Sequence, residues 1–191
     1  MTKNQKIMIG VGAAVLFCLC ACGVAYFAFR SLGQQLGHAG DPAYVSNVAD
    51  KIAKYDIPPG YSEQMAIDLG LYRTVSLVAT EDSTKPMIML MGYNQSMGVD
   101  NQQMQEQLQR SFEQQTGTPG MTWTTVDERK MTIRGQDVNV IIREGQINGG
   151  FTLRQLVAVF EGENGTVLIM IQGEAAGWDD DLINEFLASI Q

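Results

Sequence analysis

The pattern of apolar and polar positions divides the chain near residue 30. Residues 7–29 form a run of 23 positions without a charged side chain or a proline. At about 1.5 Å per residue, a helix of this length reaches roughly 35 Å, which exceeds the hydrocarbon core of a bilayer at about 30 Å. The pattern therefore predicts one N-terminal transmembrane helix.

The charges that flank this run predict its orientation. Lys3 and Lys6 precede it, and only Arg30 follows it closely. Because basic flanking residues tend to stay on the cytoplasmic side, residues 1–6 are expected in the cytoplasm. A linker at residues 30–42 then leads to an extracytoplasmic domain at residues 43–191, so the segment acts as a signal anchor of a single-pass membrane protein.

A lipoprotein signal is the alternative interpretation of the same segment. Residues 7–19 have the length of a signal-peptide core, and the sequence LCAC at residues 19–22 resembles a lipoprotein box with Cys22 as the acylated residue. Cys20, however, stands where that box usually has a small residue without a thiol, and residues 23–29 remain apolar. These two departures favour an uncleaved anchor.

Small residues recur at every fourth position of the segment, namely at Gly10, Ala14, Cys18 and Cys22. Such a row lets two membrane helices approach closely, so a homodimer through this face is one interpretation. Small residues are also common in membrane helices without any such role. Since no cysteine follows Cys22, the domain contains no disulfide in any compartment.

The first element after the linker is ambiguous. Asp41 and Pro42 are typical of a helix start, and the spacing of the following apolar residues allows a helix to about residue 54. An edge strand at about residues 48–55 fits nearly as well. A strong break follows at residues 57–61, which read Ile-Pro-Pro-Gly-Tyr.

Alternation of apolar and polar residues predicts strands in most of the remaining chain. One helix interrupts them at residues 100–116, with Asp100 as its N-cap and Met104, Leu108 and Phe112 as its apolar stripe. A second helix, at residues 178–190, ends the chain. The predicted strands are residues 63–69, 72–80, 86–93, 121–133, 137–143, 151–161 and 166–173.

The connections between the later strands are short, and Asn164-Gly165 is a typical hairpin sequence. Short connections require antiparallel neighbours, because a parallel pair needs a crossover of a dozen residues or more. Residues 86–93 are apolar on both faces, which is typical of a strand covered on each side. The sequence therefore predicts an α+β domain with helices packed on a mainly antiparallel sheet.

This order of elements, with the break at residues 57–61, resembles the PsbP-like superfamily, named for an extrinsic subunit of the photosynthetic oxygen-evolving complex. The resemblance covers roughly residues 45–191 and implies an α/β/α sandwich. Members of that superfamily are mostly accessory or binding proteins, often in extracytoplasmic compartments, without a shared catalytic set. No functional residue of the family transfers to a position of this chain.

Charge excludes one class of partner. The whole chain carries a net charge of −8, and residues 31–191 contain 10 Lys and Arg against 21 Asp and Glu, a net charge of −11. A surface of this sign repels phosphate backbones. We therefore expect no nucleic-acid partner.

Few residues are candidates for chemistry. Met87, Met89 and Met91 project to one strand face and could bind Cu(I), although methionine is also an ordinary packing residue. Asp179, Asp180 and Asp181 could contribute to a calcium site, but acidic residues are also favoured at a helix start. His38, the only histidine, lies in the linker. Asn94 and Asn164 match glycosylation acceptors.

These observations predict no catalytic residues, no metal site and no cofactor. Triads and phosphate-binding loops are absent from the sequence, and residues 31–191 contain no cysteine and one histidine, too few for a zinc site. We expect a membrane-anchored binding or accessory domain with a protein partner in the membrane or envelope. The alternatives are a hydrolase that uses carboxylates alone, which would make the protein an enzyme, and a copper-handling protein.

Overall fold

The computed structural model describes residues 37–94, 107, 110, 123–146 and 150–191, and residues 39–191 form one compact unit. Its regular elements are helix α1 (Pro42–Ile52), strands β1 (Tyr61–Asp68), β2 (Tyr72–Ala79), β3 (Met87–Asn94), β4 (Trp123–Ile133), β5 (Gln136–Gln146), β6 (Thr152–Gly162) and β7 (Gly165–Glu174), a 3₁₀ turn (Ala175–Gly177) and helix α2 (Asp180–Ser189).

Two of the predicted helices fall largely or wholly beyond these residues. The transmembrane helix at residues 7–29 lies outside the described part of the chain, and so does the helix at residues 100–116 except for Gln107 and Arg110, which are both helical. Within the described ranges, no helix is long and apolar enough to cross a membrane.

The seven strands form a single sheet in the order β1-β2-β3-β7-β6-β5-β4, and every neighbouring pair is antiparallel. This confirms the predicted α+β class and its mainly antiparallel sheet. Asn94 ends β3, pairs with Gly165 at the start of β7, and donates its backbone N–H to the Leu71 carbonyl in the β1–β2 turn. The β1–β2 and β6–β7 turns therefore lie at the same end of the sheet. The antiparallel pairing of β4, β5 and β6 places the β4–β5 turn at that end as well. We call this the hairpin end.

The core lies between one face of the sheet and the two helices. Alternate strand residues such as Val75, Leu90 and Ile169 are fully buried there, together with Val48 of α1 and Leu187 of α2. Both helices are too short to be stable in isolation, so burial of their apolar sides against the sheet stabilises them. We call this side of the sheet the helix face and the other side the second face.

Helix α1 resolves the ambiguity that the sequence left after the linker. The Asp41 carboxylate accepts hydrogen bonds from the backbone N–H groups of Ala43 and Tyr44, and Pro42 occupies the first turn. The capped helix confirms the first alternative, and the edge strand at residues 48–55 was wrong. The side chains of Val45, Val48 and Ile52 then face the core.

Helix α2 begins two residues later than predicted. Asp179 caps it by accepting from the Leu182 N–H, and Trp178 belongs to the connection that follows the 3₁₀ turn. That turn packs so closely on the β2–β3 loop that a Cβ at Gly177 would overlap the Thr84 carbonyl oxygen. The start of α2 therefore lies at the end of the sheet opposite the hairpin end.

Candidate functional site

A row of polar side chains crosses the second face of the sheet. Antiparallel register places Arg143 of β5 beside Gln155 of β6, and Gln155 beside Gln172 of β7. The Arg143 Nη2 donates to Gln155 Oε1 at 2.6 Å, and Gln155 Nε2 donates to Gln172 Oε1 at 2.8 Å. We call these three residues the polar row.

Two members of the polar row, Arg143 and Gln155, are deeply buried for such hydrophilic side chains, and Gln172 is partly buried. Arg143 is 6% exposed and Gln155 is 7% exposed, and the Arg143 guanidinium lies 5.7 Å from the centre of the Trp123 ring, within range of a cation–π interaction. Desolvation by burial lowers the pKa of Arg143. Arginine nevertheless stays protonated in proteins, so the row holds a fixed positive charge.

This arrangement is not suited to proton transfer. Glutamine amides do not titrate, and a charged guanidinium only donates hydrogen bonds. The three side chains therefore contain neither a nucleophile nor a general base. The hydrogen bonds from Arg143 to Gln155 and from Gln155 to Gln172 orient these side chains along the row.

The methionines flank the polar row on the same face. Met87, Met89 and Met91 are all partly buried, as expected for one side of β3, and the register places Met170 directly opposite Met89. The Met170 sulfur accepts a hydrogen bond from Gln155 Nε2 at 3.2 Å. The structure thus brings a fourth thioether to the predicted group, and copper binding by Met87, Met89 and Met91 stays a prediction.

A second polar cluster lies at the hairpin end. The Asp68 carboxylate contacts Arg73 Nε at 3.2 Å and Lys51 Nζ at 3.3 Å, and it accepts from the Gly70 N–H at 2.9 Å. Burial alone would raise the pKa of Asp68, but the hydrogen bonds from Gly70 and Arg73 outweigh it and hold that pKa below its usual value. Asp68 is therefore a carboxylate at neutral pH.

A small hollow adjoins this cluster and is lined by Lys51, Ile52, Arg73, Gly92, Tyr93, Asn164, Gly165, Thr166 and Val167. Its volume is about 10 Å³, which is room for about one water molecule. An organic ligand would require the α1 terminus to move away from the strands. The hollow is therefore not a preformed substrate pocket.

Tyr55, which is partly buried, and Tyr61, which is buried, have hydrogen-bond partners that keep them protonated. The Tyr55 hydroxyl donates to Glu63 at 2.6 Å, and burial together with this carboxylate raises the pKa of Tyr55 far above its usual value. The Tyr61 hydroxyl donates to the Pro86 carbonyl at 2.8 Å, and burial raises the pKa of Tyr61 to about 12. Neither hydroxyl is poised to lose a proton near pH 7.

The other candidate residues from the sequence do not form one site. His38 is exposed, and the Asp179 and Asp180 side chains bond the Leu182 N–H and the Trp178 indole N–H. Groups of three or more His, Cys, Asp or Glu arranged to hold a metal do not occur among the described residues.

The two predicted glycosylation acceptors have structural contacts. Asn164 donates through its side chain to the Lys51 carbonyl at 3.0 Å, while Asn94 ends β3. The tight β6–β7 hairpin is confirmed, although its two turn residues are Glu163 and Asn164 and Gly165 already pairs with Gly162. Asn164 thus links this turn to the end of α1.

Comparison with known proteins identifies no family for this chain. No family model and no curated protein matches the chain. Among solved structures, the chain is similar to LpqN of Mycobacterium tuberculosis, a protein involved in cell envelope biogenesis, at 14% identity and a TM-score of 0.42 over 73% of this chain and 82% of that one. It is also similar to CV1439 of Chromobacterium violaceum, at 10% identity and a TM-score of 0.20 over 79% and 85%. Scores this low carry no functional conclusion.

We predict strong energetic coupling within the polar row. Gln155→Leu removes one hydrogen-bond acceptor of the buried Arg143 guanidinium and should lower the free energy of unfolding by about 1.5–3 kcal/mol. Arg143→Met in the same background should then cost less than it does in the parent, with a coupling of roughly 0.5–3 kcal/mol. Urea unfolding of the four proteins measures both quantities.

Gln146→Leu is the matched control for this cycle, because Gln146 is exposed at the end of β5. It should change stability by less than about 0.5 kcal/mol. Additive effects of the Arg143 and Gln155 substitutions would show that the polar row does not act as a unit.

We also predict an acid-dependent contribution from Asp68. Since its pKa is lower in the folded protein, its ionised form stabilises the fold above the pKa of the unfolded chain, and this contribution is lost as pH falls through the folded pKa. Asp68→Asn should therefore destabilise the protein at pH 7, by up to about 1 kcal/mol for a partly exposed ion pair. The difference in the free energy of unfolding between Asp68→Asn and the parent should shrink below about pH 4, near the pKa of an unperturbed aspartate.

Urea midpoints at pH 7 and pH 3 test this, with exposed Asp137→Asn as the control for general charge effects. A difference between Asp68→Asn and the parent that stays constant with pH would contradict the assignment.

Proposed function

We propose that the protein is a single-pass membrane protein whose domain at residues 43–191 lies outside the cytoplasm and serves as a non-catalytic binding or accessory module. One observation carries the proposal. An uncharged stretch long enough to span a bilayer ends within ten residues of the compact unit that begins at Ala39. The PsbP-like α/β/α sandwich is part of this proposal, as the arrangement that the order of elements favours.

The titratable groups of the domain support binding over catalysis. A general acid or base works best with a pKa near the operating pH. The clearest pKa shifts among the described residues move the groups away from neutral pH, since the pKa values of Tyr55 and Tyr61 are raised and that of Asp68 is lowered. These three groups make hydrogen bonds in the folded domain. Their pKa values do not support a hydrolase that uses carboxylates alone.

The acidic domain supports an extracytoplasmic partner that is not a nucleic acid. The net charge of −11 over residues 31–191 keeps an exposed domain soluble and repels polyanions. A protein of the membrane or envelope is the partner class that fits, and no cofactor is needed for such a role.

The anchoring predicts how the protein behaves in native membranes. The parent should stay in the membrane fraction at high salt and leave it only with detergent, and protease added from outside should digest the domain. Leu16→Arg should release the protein or prevent its insertion, because a charge at the centre of a membrane helix costs about 2.5–3.5 kcal/mol. Fractionation and immunoblotting measure both effects.

Leu16→Val is the matched control and should remain in the membrane. Cys22→Ser separates the two modes of anchoring, since it should have no effect on an uncleaved helix and should abolish anchoring by acylation at Cys22. Release of the parent by salt alone would overturn the proposal.

The accessory role predicts a stable neighbour. Crosslinking in native membranes, followed by purification and mass spectrometry, should recover a reproducible membrane or envelope protein. Crosslinks between copies of this chain alone would instead indicate a homodimer. Crosslinks that persist unchanged with a scrambled domain sequence behind the same anchor would contradict a binding role for the domain.

A further inference from the structure

We propose that the hairpin end of the domain rests on the lipid surface of the membrane that holds the N-terminal segment, with Leu69 and Leu71 as its contacts. The inference depends on the membrane anchoring proposed above and adds an orientation and a lipid-binding surface to it. The β1–β2 tip, defined as Leu69, Gly70 and Leu71, is the apolar part of that surface.

The tip is held in a defined shape. Gly70 adopts a positive φ of 78°, and its N–H donates to the Asp68 carboxylate at 2.9 Å. The Leu69 N–H donates to the Tyr72 carbonyl at 2.8 Å, and the Asn94 N–H donates to the Leu71 carbonyl at 2.9 Å. A turn with this many bonds projects its two leucines in fixed directions.

Both leucines are accessible to solvent. Leu69 and Leu71 are each 49% exposed, although both lie next to a strand of a well-packed sheet. Tyr72, at the start of β2, pairs with Tyr93 of β3, and the two partly buried rings pack with their centroids 5.3 Å apart. Apolar side chains next to tyrosines match the composition of membrane–water interfaces, where amphipathic aromatic rings are enriched.

The path of the chain brings this tip close to the membrane. The Ala39 carbonyl accepts a hydrogen bond from the Ala66 N–H at 2.8 Å, so the start of the domain is attached to β1 two residues before the end of that strand. Residues 30–38 connect this point to the apolar run and span at most about 30 Å when fully extended. A tether attached beside the tip favours this end of the domain over the opposite one.

Charge disfavours the opposite end of the domain as the membrane contact. There, the start of α2 carries Asp179, Asp180 and Asp181 in succession, which anionic lipid headgroups would repel. Beside the tip, Lys51 and Arg73 both contact Asp68, and Lys51 keeps 45% of its side chain exposed. Glu163 in the β6–β7 turn is also exposed at the hairpin end, so the leucines and not a net positive charge define the lipid contact.

The test uses the full chain in phosphatidylcholine vesicles, with Cys18, Cys20 and Cys22 replaced by alanine and one new cysteine carrying an environment-sensitive fluorophore. In Leu71→Cys, the label should show a blue-shifted emission that spin-labelled lipid quenches. In the control Phe151→Cys, the label should show neither effect. Phe151 has a similar exposure of 44% but precedes β6, about 33 Å along that strand from the hairpin end.

Three results would overturn the inference. Equal quenching at both positions would show that the domain has no preferred orientation. A blue shift at Leu71→Cys without quenching by lipid would indicate a protein occupant, such as a second copy of the chain. Failure of the labelled parent to float with the vesicles would overturn the anchoring as well, whereas the first two results leave the anchoring standing.

Discussion

Burial of the helix face of the sheet is the interaction on which the rest of this structure depends. The sheet supplies backbone hydrogen bonds for seven strands, but its strand order is held by the apolar residues that α1 and α2 cover. Each helix has only ten or eleven residues, so neither would persist without the sheet. Sheet and helices therefore stabilise one another as a single cooperative unit.

The second face follows from the same constraint. Since strand residues alternate between faces, the register that buries Ile142 and Leu156 on the helix face also places Arg143 beside Gln155 on the other. A shift of one residue would move a guanidinium into the apolar core. The polar row thus favours this strand register over one shifted by a single residue.

The hairpin end is the part of the domain that we propose contacts the membrane. Asp68 is bonded by Gly70, Arg73 and Lys51, and these contacts shape a turn that projects two leucines from an otherwise acidic domain. Asp68 ends β1, and in the same strand the Ala66 N–H donates to the carbonyl of Ala39 at the start of the domain. The turn and the attachment of the chain therefore coincide at one end of the domain.

The sequence by itself determined the fold class, the approximate strands and the absence of recognisable catalytic motifs, because these depend on local periodicity and residue type. It left α1 undecided, since eleven residues with mixed spacing fit a helix or an edge strand until Asp41 is seen to cap the first turn. It gave no sign of the polar row beyond a charged residue in the alternating pattern of β5, because Arg143, Gln155 and Gln172 meet only through strand register. The place of the β1–β2 tip beside the entry of the chain also needed the tertiary structure, since it results from a backbone bond between residues 27 positions apart.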